Sequence, residues 1–104
     1  MNPEKRIKFA DSDIHPHLRA RMYQRGVTKE EIEKVMNEGL EADDAKAGTC
    51  GKVLVFPYNR NWEGINFEEK EVRVYYKIIE GEVIVLTVKA RYGKFSPEGG
   101  IKCV

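Results

Sequence analysis

His17, Arg21 and Arg25 recur every four residues in the first third of the chain. On a helix that spacing puts them on one face, beside the apolar series Ile14, Leu18 and Met22 and about 100° around from it. Two guanidiniums next to an imidazole suit a phosphate. Arginine offers a planar fork of donors to phosphate oxygens, and histidine titrates near neutral pH and can move a proton. The competing explanation is a solvated helix face whose arginines pair with acids such as Asp11 or Asp13.

A second set lies near the C-terminus. Arg73, Tyr75 and Lys77 alternate with Val72, Val74 and Tyr76, a period of two that separates the faces of a strand, and Lys89, Arg91 and Tyr92 close the next strand. A basic, aromatic sheet face can hold single-stranded RNA, its cations neutralising phosphates and its rings stacking on bases. Any antiparallel sheet with one wet face gives a similar pattern.

Where the two sets meet, metal-independent RNA cleavage becomes chemically feasible. A base takes the 2′-OH proton, a cation stabilises the crowded phosphate and an acid protonates the leaving oxygen. His17, Arg21 and Arg91 are the catalytic candidates, and Arg25, Arg73, Tyr75, Lys77, Lys89 and Tyr92 are the RNA-binding ones. The sequence has no Gly-rich phosphate loop, paired carboxylate site or nucleophile elbow, so nucleotide hydrolysis and acyl transfer gain no support. A zinc site from His15, His17, Cys50 and Cys103 matches no usual ligand spacing, and no cofactor is expected.

The elements that must position these residues follow from local signals. Pro16 suits a first helical turn and Gly26 a stop. Thr28 and Glu31 form a capping box, with Val27 and Ile32 as a hydrophobic staple, ahead of a helix from Lys29 whose inward face is Ile32, Val35 and Met36. Gly39 is expected to turn left-handed after it. Residues 41–51 read as a connecting loop, 52–56 as a strand ended by Pro57, and 58–64 as a turn-rich exposed loop. Glu80 and Gly81 offer a tight turn. After it, residues 83–88 form an apolar run of the kind found at the centre of a sheet. Residues 1–13 fit either a short edge strand around Ile7 and Phe9 or an ordered arm. The tail from about residue 93 has little to bury and is expected to fray.

The whole predicts a single α+β domain over 1–104, an N-terminal helical pair packed on a C-terminal antiparallel sheet. At 104 residues there is material for one core, and 41% hydrophobic residues with a net charge of +1 argue against disorder. So small a net charge requires any nucleic-acid site to be a local patch. No segment reads as a signal peptide or membrane span, so a cytoplasmic location with two reduced thiols is expected.

His17, Arg21, Met22, Arg25 and Gly26, followed by Val27, Thr28 and the helix opening at Glu31 and Ile32, carry a resemblance to the small domains grouped as domain-of-unknown-function family 4258. The shared pattern is His-x-x-x-Arg-Met-x-x-Arg-Gly, then an aliphatic residue and Ser or Thr. Ile84, Val85, Leu86, Thr87 and Val88 look like that family's terminal strand, so the resemblance reaches from about Ile14 to Lys89. The chain departs from the pattern at Pro16 and in the insertion at 58–67. In element order the family is similar to RelE and BrnT toxins, which place helices before a curved antiparallel sheet and cleave RNA. The resemblance therefore implies a RelE-like fold and an mRNA-interferase-like ribonuclease with an antitoxin-like partner. It also implies His17 and Arg21 at the sheet rim, Arg25 as a phosphate contact and Arg91 as a cation near the end of the sheet. The alternative is a non-enzymatic adaptor or homodimerising module that buries the loop around Trp62.

Overall fold

The structure, a computed structural model, describes residues 7, 8 and 10–95. After a 3-10 turn at Asp11–Asp13 come helices α1 (Pro16–Arg25) and α2 (Lys29–Glu38). Strands β1 (Leu40–Glu41), β2 (Cys50–Trp62), β3 (Ile65–Ile79) and β4 (Glu82–Gly93) follow. The sheet is antiparallel in the order β1-β2-β3-β4. The α+β class and the helices-first order are as expected. No helix among the described residues is long and apolar enough to cross a membrane.

Both helices have ten residues, too short to be stable alone in water, so burial of their apolar stripes holds them. Leu18, Ile32 and Val35 from the helices and Val72, Val74 and Val88 from β3 and β4 are fully buried in one cluster, each contributing about 1.5–3 kcal/mol. α1 packs on β4 and α2 on β2 and β3, leaving the opposite face of the sheet uncovered by helix. Ile7 exchanges hydrogen bonds with the Asn37 side chain at 2.8 and 3.0 Å, which docks this part of the N-terminal segment on α2 as an arm rather than a strand. Phe9 and the expected fraying tail beyond Phe95 lie outside the described residues.

The corner between the helices is tied to the sheet by polar contacts. Gly26 ends α1 at φ +70°, and a Cβ there would lie 2.5 Å from the Trp62 ring. The Thr28 and Glu31 capping box forms at 3.1 and 3.0 Å. Glu31 also accepts from the Lys70 ammonium at 2.8 and 3.0 Å, while Lys70 donates to the Gly26 carbonyl. Lys70 is 2% exposed, and its burial is tolerable because carboxylate and carbonyl replace its water. The Tyr92 hydroxyl donates to the Arg25 carbonyl at 2.6 Å.

Five expectations about local structure are corrected. Gly39 is extended at φ −74° rather than left-handed. Glycine is needed there because a Cβ would meet the Val35 and Val53 carbonyls at 2.6 and 2.8 Å. Leu40 and Glu41 form β1, and Cys50 and Gly51 belong to β2, which shortens the loop to residues 42–49.

β2 runs through Pro57 to Trp62 instead of ending, with an irregular register between Pro57 and Arg60 where Asn59 has φ +49°. β1 covers only Lys52 and Val53, so further along β2 has a free outer edge, where proline's missing N–H costs no ladder bond. The supposed loop is thus a hairpin closed by Glu63 and Gly64, both at positive φ. Its rings pack on Tyr92: Trp62 stacks at 4.7 Å, and Tyr58 and Phe67 lie at 5.3 and 5.8 Å.

β4 is an edge strand, and β3 and β2 are central. Its unbroken apolar run reflects a β-bulge: Tyr75 pairs with Thr87 and Tyr76 with Val85, leaving Leu86 as the extra residue. The bulge shifts the alternation so that Val83 and Val85 before it, and Val88 and Ala90 after it, all face the helices. The turn at Glu80 and Gly81 is as expected, with both residues at positive φ.

Two substitutions test the corner. Lys70→Met removes one partner of a buried pair and should cost about 3 kcal/mol, the lower end of the usual range because Glu31 keeps some water. Gly26→Ala meets both backbone strain and the indole, and should cost about 1–3 kcal/mol. Urea unfolding measures both, and losses under about 0.5 kcal/mol, the scale of ordinary surface changes, would show that the corner is not needed for stability.

Candidate functional site

The uncovered face of the sheet is organised by cross-strand pairs of β3 and β4: Glu71 opposite Arg91, Arg73 opposite Lys89 and Tyr75 opposite Thr87. Glu71 accepts from Arg73 Nε at 3.1 Å and from Arg91 Nε and Nη2 at 3.0 and 3.1 Å. Arg73 Nη1 reaches on to Asp44 Oδ1 at 3.1 Å, and the Tyr75 hydroxyl donates to Asp44 Oδ2 at 2.9 Å. The Lys89 ammonium lies 5.4 Å from the centre of the Tyr75 ring.

A groove of about 560 Å³ opens at one end of this face. Its floor is Tyr75, Leu86, Thr87 and Lys89, one wall is the start of α1 with His15 and His17, and the other is the 42–49 loop through Asp44, Lys46 and Thr49. His15 sets the position of the helix wall. Its Nδ1 accepts from the Leu18 N–H at 3.2 Å, making it the N-cap of α1, while Nε2 lies 3.1 Å from the Val85 carbonyl. Together these contacts require the tautomer with hydrogen on Nε2. The His17 ring lies nearly parallel to that of His15, with centroids 6.2 Å apart.

The charges on this face are largely matched. The hydrogen bond from Tyr75, together with the Arg73 charge, holds the Asp44 carboxyl below its ordinary value. Burial opposes the charge on Glu71, but hydrogen bonds from Arg91 and Arg73 outweigh it and also leave that carboxyl below its ordinary value. Burial, followed by the hydrogen bond to Asp44, pushes Tyr75 up to about 12, so at neutral pH the phenol is a donor and not a base. Among the described residues no three His, Cys, Asp or Glu side chains converge to hold a metal. Cys50 is exposed, and Cys103 lies outside the described residues.

The structure brings His17, Tyr75 and Lys89 together, with Arg73 and Arg91 on the adjoining surface. It separates the rest. Arg21 donates to Gln24 at 2.8 Å on its own helix and lines neither surface. Arg25, eight residues beyond His17, lies about 12 Å further along the axis. Lys77 is exposed opposite Ile84, beyond the bulge and outside the groove lining. Tyr92 belongs to the helix side, bonded to Arg25 and stacked on Trp62, because consecutive residues of a strand point to opposite faces and Arg91 holds the outer one.

Sequence reasoning missed Asp44, Lys46, Thr49, His15 and Glu71. Glu71 shares the period of Arg73 and Tyr75 and was available from that pattern. The three loop residues enter only because the loop folds back over the sheet, which no local spacing encodes.

The chain matches no family model, no curated protein and no solved structure.

The lowered carboxyls set an acid limit. A carboxyl whose folded value lies below its unfolded one contributes stability above the ordinary carboxylate range and loses it as pH falls through the folded value. The melting temperature should therefore hold from neutral pH down to about pH 5 and drop steeply below about pH 4. In Glu71→Gln it should be lower at neutral pH and the acid drop shallower. Thermal melts between pH 3 and 7 test this, and parallel curves for the two proteins would contradict it.

Proposed function

We propose that this domain binds single-stranded RNA in the groove between the start of α1 and the outer face of the sheet, and that it acts there as a metal-independent ribonuclease. The observation that carries the reading is the meeting of His17 and Lys89 in one lining, with the Tyr75 ring beneath and Lys46 on the far wall. These side chains supply a proton-transfer group, phosphate cations and a surface for a base. In cleavage, His17 exchanges a proton with the 2′-OH or the leaving oxygen, and Lys89 stabilises charge on the phosphate. Arg91, 62% exposed at its side chain, takes the next phosphate along the strand. Arg21 and Arg25 have no part in this chemistry because they lie away from the groove. The resemblance of the His17 to Thr28 pattern to family 4258, a family similar in element order to RelE and BrnT toxins, supports the same activity and an antitoxin-like partner as an argument by analogy.

A second reading, a protein-association module, is favoured by one observation. Ile78, Ile79 and Ile84 are exposed at the tip of the β3–β4 hairpin, beyond the last pairing of β3 with β2. Trp62 does not serve that role, since its ring is engaged by Tyr92.

Binding and cleavage of a labelled single-stranded RNA at about 50 mM salt, where phosphate contacts are strongest, decides between them. Lys89→Ala should weaken binding about tenfold, the loss of roughly 1.4 kcal/mol. His17→Ala should keep binding and lose about 10²–10⁴-fold in cleavage rate. Wild-type protein that neither binds nor cleaves under these conditions removes the RNA reading and leaves association.

A further inference from the structure

We infer that Arg73, Tyr75 and Lys89 form a phosphate subsite occupied in this state by the protein's own Asp44 carboxylate, so that the 42–49 loop latches over the groove until a phosphate displaces it. The inference rests on the groove being the RNA site and adds how that site is regulated.

Geometry is the first argument. One carboxylate oxygen of Asp44 accepts from Tyr75 at 2.9 Å and the other lies 3.1 Å from Arg73 Nη1, so two donors from neighbouring positions on β3 converge on one anion. The Lys89 ammonium stands over the same tyrosine ring, on the strand opposite Arg73. A phosphate placed on these groups would find the contacts that Asp44 now takes, plus a second cation.

The donors are held independently of their occupant. Glu71 engages Arg73 through Nε, leaving Nη1 directed at Asp44, and Tyr75 is buried, 7% exposed. Removing Asp44 therefore exposes a preformed site rather than collapsing it. The loop, by contrast, is loosely held. Ala42 is anchored by its N–H to the Gly51 carbonyl, and Thr49 bonds back only to Lys46 within the loop. Between those residues, among the described ones, the polar contacts to the sheet are those of Asp44 and a 4.0 Å approach of Asp43 to Arg73.

Magnitudes favour exchange. The Asp44 side chain is 42% exposed, and a partly exposed ion pair of this kind contributes about 0–1 kcal/mol. An RNA phosphodiester carries a single charge, as the carboxylate does, but it can meet the Lys89 ammonium in addition to the two donors that Asp44 takes. Asp44 is thus a weak competitor that an RNA phosphate can replace.

The test titrates inorganic phosphate into the full chain and into Asp44→Asn and Asp44→Ala, followed by calorimetry, with melting temperatures as a check on folding. Both variants should bind phosphate about tenfold more tightly than wild type, equivalent to about 1.4 kcal/mol. The gain should disappear when Arg73→Ala is added, since Arg73 is the cation that Asp44 occupies. Unchanged or weaker phosphate binding in both folded variants overturns the latch, as does a gain that survives Arg73→Ala. The outcomes separate from those for RNA. Lys89-dependent RNA binding with no gain on removing Asp44 leaves the RNA reading standing without the latch. Tighter phosphate binding in a protein that ignores RNA keeps the latch and assigns the groove to another phosphate ligand.

Discussion

The buried ammonium of Lys70 is the constraint around which the two layers of this domain are assembled. A lysine that has lost nearly all its water must find replacements, and the Gly26 carbonyl and Glu31 carboxylate are the groups that supply them. The first closes α1 and the second lies in the first turn of α2. Satisfying one residue of β3 therefore fixes the end of α1, the start of α2 and their height above the sheet together. Tyr92 repeats the device one strand over by bonding the Arg25 carbonyl. Helix ends leave carbonyls without intrahelical partners, and here side chains from the sheet answer two at the close of α1.

The other end of α1 is fixed by His15, which caps the helix through one ring nitrogen and approaches the Val85 carbonyl with the other. With both ends tied, the helix lies along β4 and its first turn overhangs the outer face of the sheet. That explains why His17 alone of the His17, Arg21 and Arg25 stripe reaches the groove. Facing the same way around a helix is insufficient, since the axis carries the later members of the stripe away from the site. The outer face is also less positive than its sequence suggests. Arg73 and Lys89 stand directly opposite one another, and acids on both sides relieve this repulsion, Glu71 within the sheet and Asp44 above it. What is left uncompensated gathers at the groove.

Elements governed by neighbours in sequence were legible from the residues. Pro16 and Gly26 bound α1, Thr28 with Glu31 opens α2, and Glu80 with Gly81 turns the last hairpin, because caps and tight turns are satisfied within a few residues. Features set by distant partners were not legible. Pro57 reads as a strand end unless it is known that β1 covers only two residues of β2. Residues 58–64 read as an exposed loop unless Tyr92 is known to gather their rings. His15 was weighed only as a metal ligand because its carbonyl partner lies seventy positions away. For the site, strand periodicity correctly grouped Arg73 with Tyr75 and failed at Tyr92, where adjacency to Arg91 was taken for a shared face. The loop wall carrying Asp44 was invisible because it depends on a fold-back with no sequence period.

The bulge at Leu86 connects these two kinds of information. An uninterrupted β4 would keep strict alternation, and Val85 and Val88, an odd number apart, would then face opposite sides of the sheet. One extra residue lets both enter the core, and the same insertion lets Leu86 and Thr87, adjacent in sequence, both line the groove floor. Beside it, on the free edge of β4, the Val85 carbonyl meets His15, so the irregularity that completes the core also adjoins the point where α1 is tied down. Core packing and the geometry of the groove are therefore not separable at this position. Closing the bulge would reverse the facing of the strand on one side of it, placing either the core valines or the groove floor on the wrong side of the sheet.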